Sequence, residues 1–125
     1  MTTLRIGIAG YEAFKARTLA IARGELKPAP DDPKVWFSSL ESFAKVLSDR
    51  NRELLAVIAE TRPASISELA QTTGRALPNL SRTLKTMERH GLLRFEERQG
   101  RQRAPRVSFT RIALDMALSE TRSAA

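Results

Sequence analysis

Hydrogen-bonding side chains recur every three residues in segment 78–89 of the chain. Asn79, Arg82 and Lys85 therefore fall on one side of a helix with 3.6 residues per turn. Arginine can donate two hydrogen bonds to the edge of guanine, and asparagine can pair with adenine through two bonds in a similar way. Because a helix fits the major groove of double-stranded DNA, the spacing predicts a recognition helix in which these three residues read bases.

The same segment also predicts that the other side of this helix packs against a core. Its apolar residues follow the spacing i, i+4, i+7, which places them opposite the cations. Pro78 suits the first helical position, and Gly91 ends the helix. Ser81, near the helix start, and Arg75, in the preceding turn, are suited to phosphate contacts that fix the helix on the DNA backbone. The apolar residues are Leu80, Leu84 and Met87.

A shorter helix and a turn precede the recognition helix. Ser65 and Glu68 have the spacing of a capping box, so the shorter helix begins near Ser65, and Gly74 ends it. Two further helices are predicted upstream, at about 38–47 and 49–60, each with an apolar stripe. The order of these elements predicts a helix-turn-helix.

Two segments of alternating polarity follow the recognition helix and predict a β-hairpin. Leu93 and Phe95 alternate with polar residues, as do Val107 and Phe109 further along the chain. The loop 98–103 between them holds a central glycine and three arginines, so it is expected to be exposed. Cations on such a loop can contact phosphates or the minor groove without selecting a sequence. The predicted DNA contacts of the hairpin are Arg98, Arg101, Arg103 and Arg106.

Three runs in this region carry a family resemblance: Ile66-Ser-Glu-Leu-Ala70, Asn79-Leu-Ser-Arg-Thr-Leu84 and Glu88-Arg-His-Gly-Leu-Leu93. Together they resemble winged helix-turn-helix regulators of the MarR and ArsR superfamily, over about residues 38–110. The whole chain resembles more closely a little-characterised group of predicted prokaryotic transcriptional regulators within that superfamily. The resemblance implies a winged fold and DNA binding. It does not imply the metal site of ArsR-type sensors, since those sites use cysteines or several histidines.

The sequence divides into three predicted regions. Residues 1–37 hold a short strand, an amphipathic helix and a linker, because the prolines and aspartates from Gly24 to Lys34 cannot continue a helix. Residues 38–110 form the winged helix-turn-helix domain, and residues 111–125 form a C-terminal helix and tail. The predicted fold class is mainly α with a small β-hairpin wing (α+β), with an N-terminal strand-helix extension.

A homodimer is expected, because one recognition helix covers only a few base pairs and palindromic sites mirror the symmetry of a two-fold protein. The N-terminal strand and helix and the final helix are available for its interface. The predicted partners are double-stranded DNA and a second copy of the chain. The sequence leaves open whether there is a further partner, either an unidentified protein or a small-molecule effector.

Positive charge is concentrated in about a third of the chain. The net charge is +7 and the sequence pI is near 10.8. Ten basic and three acidic residues lie between Arg75 and Arg111, so this segment carries the whole positive surplus. Such a concentration is typical of a surface that binds a polyanion, whereas charge that only keeps a protein soluble is spread more evenly.

Composition argues against several function classes. The chain has no cysteine and one histidine, which excludes thiolate zinc sites and multi-histidine metal sites. No nucleophile or acid–base set is visible, so neither an enzyme nor a cofactor is predicted. No apolar run reaches the roughly 20 residues of a membrane helix, and charged residues interrupt the N-terminus, so a cytoplasmic protein without a membrane partner is predicted.

Some conspicuous residues have simpler explanations than ligand binding. Gly7 and Gly10 lack the third glycine of a dinucleotide-binding turn, and a tight strand-to-helix turn accounts for them. Trp36 and Phe37 are expected to pack in a core. His90 is expected to cap the end of the recognition helix.

Two other functions stay open at this level. A protein-interaction module, such as an antitoxin-like partner with a winged-helix fold, would use the same elements without reading DNA, although the concentrated charge speaks against it. An RNA-binding winged helix would use the same cations on structured or single-stranded RNA.

Overall fold

The structure, a computed structural model, describes residues 2–119, except for the side chain of Arg101. Within this range the chain forms two compact units, which we call the sheet unit (residues 3–45 and 111–119) and the winged unit (Thr2 and residues 46–110). The elements are β1 (Thr3–Ile8), α1 (Tyr11–Ala22), β2 (Val35–Phe37), α2 (Leu40–Val46), α3 (Asp49–Thr61), α4 (Ile66–Thr73), α5 (Leu77–Arg89), β3 (Arg94–Glu97), β4 (Arg103–Arg106) and β5 (Arg111–Met116). The predicted fold class, α+β with a hairpin wing and an N-terminal strand-helix extension, is confirmed.

The sheet unit is built on a parallel three-stranded sheet with the strand order β2-β1-β5. Strand β1, helix α1 and strand β2 form a βαβ crossover, and the linker predicted between α1 and β2 is non-helical. Ile6 of the central strand is fully buried. Phe37 is buried against the edge of the Phe43 ring, with 5.4 Å between the ring centroids, so its predicted packing role is confirmed.

Gly7 of β1 lies directly beneath the Trp36 ring. A Cβ atom at this position would be 2.3 Å from the ring, which is closer than any van der Waals contact. The ring is also held on other sides, because it packs at 5.5 Å from the Phe14 ring and at 5.3 Å from the Arg17 guanidinium. Gly7 is therefore required by close packing against an aromatic ring.

We expect Gly7→Ala to lower the free energy of unfolding by about 1–3 kcal/mol, because the added methyl group must displace the Trp36 ring. Urea unfolding followed by circular dichroism measures the change. In a Trp36→Leu background, where the space is open, the same substitution should cost much less. An equal cost in both backgrounds would contradict the packing explanation.

The predicted C-terminal helix at the start of segment 111–125 is wrong. Residues Arg111–Met116 form β5, which pairs in parallel with β1 along its whole length, from Thr3 opposite Arg111 to Ile8 opposite Met116. Alanine, leucine and methionine favour a helix, but an isolated helix this short is marginal in water, and pairing with a distant strand outweighs the local preference. The rest of the predicted tail, residues 120–125, lies outside the described residues.

The winged unit contains the predicted helix-turn-helix, formed by α4 and α5. The Ser65 hydroxyl accepts a hydrogen bond from the Glu68 amide at 3.1 Å, and the Glu68 carboxylate accepts one from the Ala64 amide at 2.7 Å. Gly74 ends α4 with a φ of +73°, in the left-handed region that favours glycine. The predicted capping of α4 is therefore confirmed.

The hairpin forms, but its second strand lies earlier than predicted. Strand β4 ends at Arg106, so Val107 and Phe109 are outside it, and Phe95 of β3 pairs with Pro105. The loop is short, because the Arg98 amide donates to the Gln102 carbonyl at 2.7 Å and Gly100 adopts a φ of +70°. A two-stranded hairpin can accommodate a proline since each strand has a free edge.

Among the helices of residues 2–119, none is both long enough and apolar enough to span a bilayer.

Candidate nucleic-acid interface

Helix α5 has one buried side and one charged side. The three predicted core residues are fully buried, and three cations are exposed on the opposite side. This orientation follows from the sequence, since the buried and exposed residues recur with the helical period. We call the exposed cations, Arg82, Lys85 and Arg89, the cationic ridge.

Two residues predicted to read bases contact each other at the start of α5. The Arg82 guanidinium donates to the Asn79 side-chain oxygen at 2.5 Å, and both residues are exposed. Ser81, beside them, is partly buried. The hydrogen bond holds two side chains that can each pair with a base edge on the same side of the first turns of the helix. Their role in base reading stays a prediction.

Arg75 joins the turn before α5 to the start of α3. Its guanidinium donates to the Asn51 side-chain oxygen at 3.3 Å and to the Arg50 carbonyl at 3.0 Å. Partial burial lowers the pKa of Arg75, neighbouring Arg50 lowers it further, and Glu53 opposes the shift. Arg75 therefore positions the turn, and its predicted phosphate contact would have to use the donors that these bonds leave free.

An open polar cleft of about 490 Å³ lies beside this turn. Its lining includes Ser48 and Asn51 from the start of α3, and Arg75, Asn79 and Thr83 from the turn and α5. Arg50 also lines it and was missed by sequence reasoning. The only signal in the sequence was the capping serine, Ser48, whose hydroxyl accepts from the Asn51 amide at 3.3 Å.

The wing places two of its predicted contact residues at the surface. Arg98 is exposed at the start of the loop. Arg103 lies over the Phe95 ring at 4.5 Å, and its guanidinium is 3.4 Å from the carboxylate of Glu88 on α5. This contact fixes β4 next to the recognition helix, so the ridge and the wing belong to one unit. The side chain of Arg101 lies outside the described residues.

The prediction that Arg106 contacts DNA is contradicted by its burial. Arg106 is only 4% exposed. Its guanidinium donates to the Pro63 carbonyl at 2.7 Å and to the Pro105 carbonyl at 2.9 Å, and its Nε lies 3.3 Å from the Glu96 carboxylate. The earlier position of β4 turns this side chain inward, where it donates hydrogen bonds to two backbone carbonyls.

Within residues 2–119, no group of three or more histidine, aspartate or glutamate side chains is placed to hold a metal ion. His90 follows α5 as its C-cap residue, and its amide donates to the Thr86 carbonyl at 3.2 Å. The capping position predicted for His90 is confirmed.

A family model matches residues 46–114 of the chain, more than half its length, and its description is HVO_A0114. The chain belongs to the HVO_A0114 family. The part matched by the HVO_A0114 model begins where the winged unit begins and runs through α5 and the hairpin into β5.

One solved structure is similar, the crystal structure of the predicted DNA-binding transcriptional regulator from E. coli. The TM-score is 0.46 and the sequence identity is 18%, over 74% of this HVO_A0114 chain and 82% of the other. No curated protein matches the chain in sequence.

Proposed function

We propose that this chain is a sequence-specific DNA-binding transcriptional regulator with the mode of binding used by MarR-like and ArsR-like winged helices. Helix α5 enters the major groove, and the loop 98–103 contacts the backbone or the minor groove. The observation that carries this proposal is the cationic ridge, which lies opposite a fully buried stripe and beside a hairpin with exposed arginines. The protein acts as a homodimer in the cytoplasm.

The structure of α5 supports separate roles for residues that contact bases and residues that contact phosphates. Asn79 and Arg82 lie in the first turns, which enter a groove deepest, and both carry side chains that can form two hydrogen bonds with a base. Lys85 is one turn further on the same side. Ser81, Arg75, Arg98, Arg101 and Arg103 are assigned to the backbone, where contacts add affinity without selecting a sequence.

Selection of bound duplexes from a random DNA pool tests the proposal. We expect a recurring motif, preferred over random duplex, with affinity that falls steeply as salt rises because bound phosphates release counterions. An RNA of matched sequence, single-stranded or duplex, should bind more weakly. Preferred binding to the RNA would support an RNA-binding winged helix, and no binding to either nucleic acid would support a protein-interaction module.

We expect the double substitution Arg98→Ala with Arg101→Ala to weaken binding to selected and random duplexes by the same factor. The two loop arginines are proposed to neutralise phosphates, so their loss should make the slope of log affinity against log salt shallower by about 2. Fluorescence anisotropy at several salt concentrations measures both effects. A loss confined to the selected duplex would show that the loop reads bases and would contradict the assignment.

A further inference from the structure

The outer edge of β5 is open in the described structure. Strand β5 pairs with β1 on one side, and no strand within residues 2–119 pairs with its other side. Its side chains are accessible as well, since Leu114 is 43% and Met116 is 48% exposed. The backbone groups along a free edge can pair with a strand from another chain.

Strand β5 has few of the features that protect natural sheet edges from such pairing. Those features are charged side chains, above all lysine, together with proline, a β-bulge or very short length. The six residues of β5 include no lysine and no proline, its register with β1 is continuous, without a bulge, and its two charges, Arg111 and Asp115, are opposite in sign. The other edge of the sheet, β2, has only three residues. Of the two edges, β5 is the one suited to recruit a partner strand.

The sequence of β5 is complementary to itself when two copies run antiparallel. With Ala113 on the two-fold axis, Arg111 lies opposite the partner's Asp115, and Ile112 lies opposite the partner's Leu114. Each residue pair occurs twice by symmetry, as a two-fold interface requires. Neither Arg111 nor Asp115 forms an ion pair with another residue of the described chain. Arg111 and Asp115, which have no ion-pair partner in the described chain, would therefore pair with each other across the interface.

The neighbouring register lacks this match. Moving the two-fold axis from Ala113 to Leu114 sets Arg111 opposite the partner's Ala117 and Ala113 opposite the partner's Asp115, so neither charge would meet an opposite charge. The charges therefore select the pairing centred on Ala113. They also favour a second copy of this chain over an unrelated strand, because a second copy always carries both charges at this spacing.

We propose that two copies of this chain associate through β5, which joins their sheets into one continuous sheet with the order β2-β1-β5-β5-β1-β2. Arg111 and Asp115 set the register. The role of this dimer in operator binding rests on the proposed function, whereas the association itself needs no DNA.

Charge reversal in the full-length chain tests the interface, with size-exclusion chromatography and light scattering as the readout. The wild type should be a dimer at micromolar concentration. Asp115→Arg or Arg111→Asp should each raise the dissociation constant of the dimer about tenfold or more, because two attractive pairs become two repulsive ones. The double variant, Arg111→Asp with Asp115→Arg, should restore dimerisation.

A mixture of the two single variants provides the sharpest arm of this test. One chain then carries two arginines and the other two aspartates at these positions, so only the mixed dimer has opposite charges in both pairs. An equimolar mixture should dimerise at a concentration at which each variant alone is mostly monomeric. Circular dichroism checks that the variants fold. If a charge variant fails to fold, Leu114→Lys, which places a charge on the same exposed edge, is expected to give a monomer instead.

Three results would overturn the interface: a monomeric wild type, single variants that dimerise as well as the wild type, or a double variant and mixture that stay monomeric. A duplex-binding assay on the same samples separates this inference from the proposed function. A wild-type dimer that binds no duplex leaves the interface standing and contradicts the function. A monomer that selects a duplex motif leaves the function standing and contradicts the interface.

Discussion

Arg106→Ala is expected to lower the free energy of unfolding by about 2–4 kcal/mol. The substitution removes the hydrogen-bond donor of the Pro63 and Pro105 carbonyls and the partner of the Glu96 carboxylate. Pro63 and Pro105 are buried, so water cannot replace the lost bonds at low cost. Chemical denaturation followed by circular dichroism measures the difference. The size of the expected effect reflects the role of one guanidinium in fixing β4 to the start of α4.

Arg94→Ala is the matched control for this substitution. Arg94 lies opposite Arg106 in the hairpin and pairs with the same glutamate at 3.6 Å, but its side chain is 57% exposed. The expected loss is therefore below about 0.5 kcal/mol, as for other surface ion pairs. Equal losses for the two variants would show that Arg106 is not the buried anchor described here.

Arg82→Ala is expected to weaken binding to the selected duplex by about 1–3 kcal/mol and to relax the base preference at one position of the motif. The reason is the loss of a side chain that can form two hydrogen bonds with guanine. Binding to random duplex should fall far less, by about the effect of one phosphate contact. Anisotropy titrations with the selected duplex, its single-base variants and random duplex measure the three quantities.

Lys27→Ala removes the same charge from an exposed position on the sheet unit. It should leave both the affinity and the base preference almost unchanged. If Arg82→Ala weakened selected and random duplexes by the same factor, Arg82 would be a backbone contact. If Lys27→Ala had the same effect as Arg82→Ala, net charge alone would explain the binding.

The sequence predicted the winged unit well because its signals are local. The apolar spacing of Leu80, Leu84 and Met87 sets which side of α5 is buried, and the capping pair Ser65 and Glu68 sets where α4 begins. Residues three or four apart on a helix are neighbours in space, so such patterns are visible without tertiary information. The exposed position of the cationic ridge follows from the same periodicity.

The features that the sequence did not reveal depend on contacts between distant segments. Strand β5 forms only because β1, more than a hundred residues earlier, offers it an edge. The guanidinium of the buried Arg106 donates to the Pro63 carbonyl, 43 residues away. The bond between Arg75 and Asn51 spans 24 residues. The alternation of polar and apolar residues predicted that Arg106 faces outward, and no other local pattern indicated that it is buried.

The most direct test of the double-stranded DNA surface is an amide NMR titration of the full-length protein with a selected duplex. We expect the perturbed amides to cluster in the first turns of α5, in the preceding turn, and along the loop 98–103. Perturbations at these places should saturate together as one binding event. If the perturbed amides lie mainly in the sheet unit, or if α5 is unaffected at saturation, the cationic ridge is not the surface that meets DNA.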